Sequence, residues 1–139
     1  MGRSILAVIA GLVAGALTVF LLEIAGHWIL PPPPGADVSS HQSLAANISL
    51  LPLANFLAIL VGWAGGSFVG GWVAATIARQ NKSRCAMIVG ALITLSGLAN
   101  MLMIPHPIWI WLGGILLPIP CALAGARLAP AKPAITIAG

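Results

Sequence analysis

Charged residues are scarce in this chain of 139 amino acids, and acidic residues are the scarcest. Lys, Arg, Asp and Glu together make up 6% of the sequence, whereas 60% of its residues are hydrophobic. A water-soluble domain carries roughly a quarter of charged residues, so this composition excludes one and indicates an integral membrane protein in a lipid bilayer. At about 20 apolar residues per span, the chain has room for four or five spans and for no separate soluble domain.

Sequence motifs that would identify a reaction are also missing. The chain has two cysteines and contains no nucleophile elbow, phosphate loop or paired-cysteine motif, so no catalytic residue is predicted. Six Lys and Arg residues against two acidic ones give a net charge of +4. Because these basic residues are spread over three segments and form no stripe, the charge argues against a nucleic-acid partner.

Prolines and polar residues divide the apolar sequence into four predicted spans. Ser4 is a plausible N-cap for the first span, which ends where four consecutive prolines remove helix donors. Pro118 and Pro120 predict a kink inside the fourth span. The predicted spans cover residues 4–30, 52–78, 85–104 and 107–129. We therefore expect one all-α membrane domain, a four-transmembrane-helix bundle, with a frayed tail at 130–139.

All the basic residues lie on one side of this four-span arrangement. They are Arg3, Arg79, Lys82, Arg84, Arg127 and Lys132. Because cytoplasmic segments of membrane proteins retain Lys and Arg, we expect both termini and the loop 79–84 in the cytoplasm, with a bacterial inner membrane as the location. The connection 31–51 then lies outside, where Leu44, Ile48 and Leu51 recur at helical spacing and predict a short amphipathic helix.

The second and fourth predicted spans share a residue pattern. An offset of 48 residues aligns Trp63 with Trp111 and Arg79 with Arg127, together with several Gly and Ala pairs. As an internal repeat, this pattern predicts two helical hairpins in parallel orientation. Chance similarity between two glycine-rich spans explains it about as well.

Small residues recur at four-residue spacing in the first two spans. They are Gly11, Gly15, Gly62, Gly66 and Gly70. This spacing places them on one face of each helix, where a second helix can approach closely enough for backbone contact. We interpret these faces as packing within the bundle, with a homo-oligomer or a larger membrane-protein partner as the alternative. Interface anchors are expected at Trp28, Trp109 and Trp111.

Polar residues concentrate in the outer half of the predicted bundle. Glu23 and His27 are four residues apart and therefore share a helix face, the face that also carries the first-span glycines, so we expect them to face inward rather than toward lipid. Glu23 lies about 10 Å below the outer end of its span, and Asn55, Asn100 and His106 fall in the same half. Because burying a charge in a membrane is costly, such a carboxylate predicts a ligand or proton site. We predict an outward-facing polar pocket around Glu23, His27 and Asn100 that binds or moves a small solute, cation or proton.

Other interpretations of the same residues stay open. The pair Glu23 and His27 could form a structural polar clamp between helices, which would fit a structural or assembly subunit that docks a larger partner through its glycine-rich faces. A divalent metal at Glu23, His27 and His106, with His41 from the outer loop, suits the ligand types, although only the first two have a favourable fixed spacing. No other cofactor is expected, and an enzyme is the least favoured class because no nucleophile or metal motif is present.

Overall fold

The structure is a computed structural model that describes residues 2–78 and 80–130. Within these residues every regular element is helical, and four segments are long and apolar enough to cross a membrane. The elements are α1 (Gly2–Ile29), α2 (His41–Asn47), a 3-10 turn (Ile48–Leu50), α3 (Leu53–Ile77), α4 (Lys82–Met103), α5 (Ile108–Leu116) and α6 (Pro118–Arg127). The fourth segment combines α5 and α6. For the described residues, the prediction of an all-helical fold with four segments long and apolar enough to span a membrane is confirmed.

Two helix starts differ from the sequence-based expectation. Ser4 is predicted to cap the first span, but α1 already begins at Gly2 and contains Ser4. The third span is predicted to start at Cys85, whereas α4 begins at Lys82. Asn81 has a φ of 55°, the left-handed backbone conformation that Asn tolerates better than most residues, and this turn reverses the chain just before α4.

Helices α1 and α3 approach each other until their backbones touch. A Cβ atom at Gly11 would lie 2.6 Å from the carbonyl oxygen of Gly70, and one at Gly15 would lie 2.9 Å from the carbonyl oxygen of Gly66. Real Cβ atoms are not found at such distances, so the contact needs glycine on both helices. The glycine faces described from the sequence therefore pack against each other within one chain.

Helix α6 packs on α3 through a second pair of glycines. Gly71 lies against the backbone of Ala122, and Gly125 lies against the carbonyl oxygen of Phe68, both too close for a side chain. Because α3 contacts α1, α4, α5 and α6, it is the central helix of the bundle. The two-hairpin repeat stays a prediction.

The fourth membrane segment breaks at Leu117, between α5 and α6. Pro118 and Pro120 have no backbone N–H, so they cannot donate the helical bonds to the carbonyls of Gly114 and Leu116. Pro118 itself is fully buried. The break therefore lies where the two prolines predict a kink.

The described basic residues gather at one end of the bundle, which we call the basic end. Arg3 donates from Nε to the carbonyl of Ile77 at 3.1 Å, and Lys82 donates from Nζ to the carbonyl of Pro130 at 2.7 Å. These bonds join the start of α1 to the end of α3 and the start of α4 to the segment after α6. Arg84 lies in the first turn of α4 and Arg127 in the last turn of α6. Arg79 and Lys132 lie outside the described residues.

The connection between α1 and α3 packs on the opposite end of the bundle. Ser40 and Ser43 form a capping box at the start of α2, each hydroxyl accepting from the other residue's backbone N–H at 3.1 Å. Leu44, Ile48 and Leu51 pack in the same apolar cluster as Phe56 of α3. A short helix is thus present in this connection, and its apolar side covers the bundle.

Candidate functional site

A polar pocket of about 290 Å³ opens at the end of the bundle opposite the basic end. Its walls come from the last turns of α1, the first turns of α3, the last turns of α4 and the segment around α2. All the polar residues singled out from the sequence line it, namely Glu23, His27, Asn55, Asn100 and His106. His41 lines it as well. The pocket therefore holds every histidine of the chain and one of its two acidic residues.

Glu23 borders three cavities at once. It lines the pocket, a second cavity between α1 and α4, and a shallow groove on the outer side of α1 with Phe20 and Trp28. Its side chain remains exposed within the isolated chain. Glu23 therefore lies at the edge of the bundle, between the pocket and the outer groove, and its expected orientation away from lipid stays a prediction.

A glycine on α3 makes room for the carboxylate. A Cβ atom at Gly62 would lie 3.6 Å from Cγ of Glu23, an ordinary van der Waals distance, so the two helices are close where Glu23 passes α3. One turn further along α1, a Cβ at Gly26 would lie 3.3 Å from Cβ of Ala58. Small residues on both helices thus hold the Glu23 side chain beside α3.

Trp63 lines the pocket, although its sequence pattern indicates only a possible repeat with Trp111. Its indole is buried, and hypothetical Cβ atoms at Gly97 and Gly114 would meet the ring at 3.2 and 2.6 Å. The ring therefore lies between α4 and α5, where both helices lack side chains. Asn55, Ile59 and Trp63 follow at four-residue spacing, so a helical projection of α3 from Asn55 could have found it.

Hydrogen bonds fix the orientation of two pocket side chains. Asn55 donates from Nδ2 to the carbonyl of Leu30 at 2.9 Å, which leaves its side-chain oxygen as an acceptor. His106 Nδ1 lies 2.8 Å from the carbonyl oxygen of Ile104. Since a carbonyl can only accept, Nδ1 carries the proton, and Nε2 of a neutral His106 ring is an acceptor. Phe56 packs edge-on against this ring, with centroids 6.3 Å apart.

The fixed charge in the pocket lining comes from one acidic residue, Glu23. Glu23 supplies one carboxylate, and none of the Lys and Arg residues that the structure describes lines the pocket or the cavity between α1 and α4. The described Lys and Arg side chains are at the basic end, at the far side of the apolar bundle. A positively charged group is therefore the natural partner for Glu23 in this pocket.

The pocket does not assemble a metal site from the described residues. In residues 2–78 and 80–130, no group of three or more His, Cys, Asp or Glu side chains is close enough to hold a metal ion. Glu23, His27 and His106 share the pocket, but they form no three-ligand set. The two cysteines, Cys85 and Cys121, are free thiols on α4 and α6.

The aromatic residues predicted as interface anchors lie near the pocket end. Trp28 is 83% exposed in the last turns of α1, while Trp109 and Trp111 are half-buried in α5. Trp109 packs edge-on against Phe56, with centroids 6.0 Å apart. Their role as anchors at a membrane surface stays a prediction.

Comparison with known proteins identifies no relative of this chain. No protein-family model matches the chain, and neither a curated protein nor a solved structure matches it significantly.

Proposed function

We propose that this chain is a small integral membrane protein whose pocket binds, or moves, a small solute, cation or proton. The carboxylate of Glu23 would pair with a cation or take up a proton, and His27 and Asn100 supply hydrogen-bonding groups in the same pocket. The observation that carries the proposal is that all these residues line one pocket, whose lining includes no Lys or Arg among residues 2–78 and 80–130. A carboxylate in an apolar helix is costly without a partner, and a bound cation or proton provides one.

The bundle is closed on the side of the pocket that faces the basic end. Toward the basic end, Ala7, Ala74, Cys85 and Val89 form a buried apolar cluster, and the backbones of α1 and α3 touch beside it. A ligand can therefore enter from the pocket end without crossing the bundle. This favours a binding protein, or a transporter caught with one side open, over a continuous channel.

The glycine-rich faces argue against the alternative of an assembly subunit that docks through them. Gly11, Gly15, Gly66 and Gly70 contact each other's helices within this chain. A larger membrane partner would therefore need a different surface.

We further propose that the basic end lies in the cytoplasm of a bacterial cell and that the pocket faces outward. The described basic residues support this orientation, because they share one end and positive charge is retained on the cytoplasmic side. The test uses Ser49→Cys near the pocket end and Ser83→Cys at the basic end, each with Cys85 and Cys121 replaced by serine. A membrane-impermeant maleimide added to intact cells should label only the first variant, and labelling of only the second would reverse the orientation.

The ligand site is tested by exchanging its carboxylate. Purified protein is titrated with methylammonium by calorimetry, and proton uptake is followed in proteoliposomes with an internal pH dye. Glu23→Gln should weaken methylammonium binding or proton uptake at least tenfold while the unfolding temperature stays the same. Asp37→Asn is the matched control, because Asp37 is the other acidic residue and lies outside the pocket lining.

Two results would contradict the proposal. Equal binding and uptake in the wild type and Glu23→Gln would remove Glu23 from the site. A large fall in thermal stability of Glu23→Gln, with no ligand effect in any variant, would instead identify the structural clamp.

A further inference from the structure

A second cavity, of about 280 Å³, continues from Glu23 toward the middle of the bundle. It lies between α1 and α4, and we call it the α1–α4 cleft. Apart from Glu23, Trp63, Ser96 and Asn100, its lining is apolar and consists of Leu12, Ala16, Val19, Phe20, Ile93 and Gly97. Unlike the pocket, the cleft is lined by no histidine, and its part away from Glu23 is apolar.

The pocket and the cleft meet at shared residues. Glu23, Trp63 and Asn100 line both cavities, so the two cavities adjoin at these residues. Along α1, the cleft extends from Glu23 to Leu12, roughly 16 Å at the rise of an α-helix. An elongated ligand with its polar end at Glu23 could therefore place an apolar chain along the cleft.

The far end of the cleft is closed where α1 meets α4. A Cβ atom at Gly15 would lie 3.0 Å from Cδ1 of Ile93, and one at Gly11 would lie 3.1 Å from Cγ2 of Val89. Its side is less closed, because Ala16 and Phe20 are exposed on α1. These residues lie on the apolar surface of α1, which is long and apolar enough to span a membrane, so in a bilayer the cleft would open sideways toward the hydrocarbon.

We propose that the ligand is an organic amine with a single alkyl chain. Its protonated amino group lies at Glu23, and its chain lies along the α1–α4 cleft. This inference rests on the proposed function, since it assigns the ligand class of the same pocket. Charge complementarity selects the head group, because the lining, in the part of the chain that the structure describes, offers a carboxylate and no Lys or Arg for a phosphate, sulfate or carboxylate head. A small hydrophilic cation would fill only the pocket and leave the apolar cleft without a function.

The test measures how affinity depends on chain length in protein reconstituted into lipid nanodiscs. Butylamine and dodecylamine share a head group and differ only in the chain, and empty nanodiscs give the correction for partitioning into lipid. After this correction, dodecylamine should bind at least tenfold more tightly than butylamine, and dodecyl sulfate should not compete. Glu23→Gln should weaken the binding of both amines.

Two substitutions on α1 separate the cleft from its surroundings. Ala16→Phe places a ring in the cleft and should remove the advantage of dodecylamine while the affinity for butylamine is unchanged. Ala25→Phe is the matched control, because Ala25 is exposed on the same helix and lines none of the three cavities. Ser96→Phe fills the cleft from α4 and gives the same test if Ala16→Phe does not fold.

The outcomes distinguish the two proposals. Equal corrected affinities for butylamine and dodecylamine, both dependent on Glu23, would overturn the alkyl-chain assignment and leave the proposed function intact. Unchanged chain-length dependence in both cleft-filling variants would also overturn the assignment. Absence of amine binding in the folded wild type would overturn the amine assignment, and it would overturn the proposed function as well if proton uptake were equal in the wild type and Glu23→Gln.

Discussion

The side-chain amide of Asn55 is hydrogen-bonded to the backbone carbonyl of Leu30 at 2.9 Å. Leu30 directly follows α1, and the residue whose N–H would normally bond to its carbonyl is Pro34, which has none. Asn55 lies in the first turn of α3 and supplies the missing donor. The bond therefore ties the two helices together at the mouth of the pocket.

Removal of this bond should loosen the pocket end. Asn55→Ala leaves the Leu30 carbonyl without a donor, and we expect a loss of about 1–2 kcal/mol in the free energy of unfolding. Thermal unfolding in mild detergent measures it, with Gln42→Ala at an exposed position of α2 as the control. An Asn55→Ala protein as stable as the control would show that the Leu30 carbonyl finds another partner.

Contact between α1 and α3 should not tolerate a side chain at its centre. A Cβ at Gly70 would lie 2.7 Å from the carbonyl oxygen of Gly11, whereas Gly2 has nothing within 4 Å. Gly70→Leu should therefore destabilise the protein by about 3 kcal/mol or more, since overpacking must move a backbone, and Gly2→Leu should have little effect. Both are compared by unfolding temperature and by gel filtration. Similar stability of the two variants would argue that α1 and α3 can separate freely.

Replacement of Ser67 by alanine should not lower the stability of the protein. It is fully buried in α3, and its hydroxyl has no hydrogen-bond partner among the described residues. Ser67→Ala should leave stability unchanged or raise it by up to about 1 kcal/mol, because an unpaired buried hydroxyl is unfavourable. Ser40→Ala makes the same substitution where the hydroxyl caps α2, and it should lower the stability of that helix. A clear loss of stability in Ser67→Ala would reveal a partner for its hydroxyl.

The loop before α2 should respond to acid at Asp37. Oδ1 of Asp37 accepts a hydrogen bond of 2.9 Å from the backbone N–H of Ser39, and this bond lowers the pKa of Asp37 below its ordinary value of 3.8. The bond favours the charged carboxylate, so its contribution is fully present above pH 3.8 and is lost as pH falls through the lowered pKa.

Amide chemical shifts measure this titration directly. The Ser39 amide resonance should be constant from neutral pH down to the ordinary range of an Asp side chain and should move only at more acidic pH. Asp37→Asn should abolish the shift. A midpoint above the ordinary Asp value would contradict the stabilised carboxylate.

Much of this arrangement follows from local sequence. The apolar runs and prolines predict four spans, and the four-residue spacing of Glu23 and His27 predicts a shared helix face, in keeping with the pocket that both residues line. Trp63 is different, because its position between α4 and α5 depends on glycines at 97 and 114, which lie far away in the sequence. The cleft lies between α1 and α4 on the pocket side of Ile93, where the two helices are further apart. The residue pattern of a single helix does not determine the distance between two helices.

In the orientation that we propose, the segregation of charge along the bundle would couple the pocket to the membrane potential. A cation that reaches Glu23 from the pocket end has passed about 9 Å of the roughly 42 Å length of α1, or about a fifth of it. One charge crossing the full membrane gains about 2.3 kcal/mol per 100 mV, so a fifth of the path contributes roughly 0.5 kcal/mol, or about a twofold increase in affinity. Occupancy at Glu23 would then fall whenever the membrane lost its voltage, even at a constant ligand concentration.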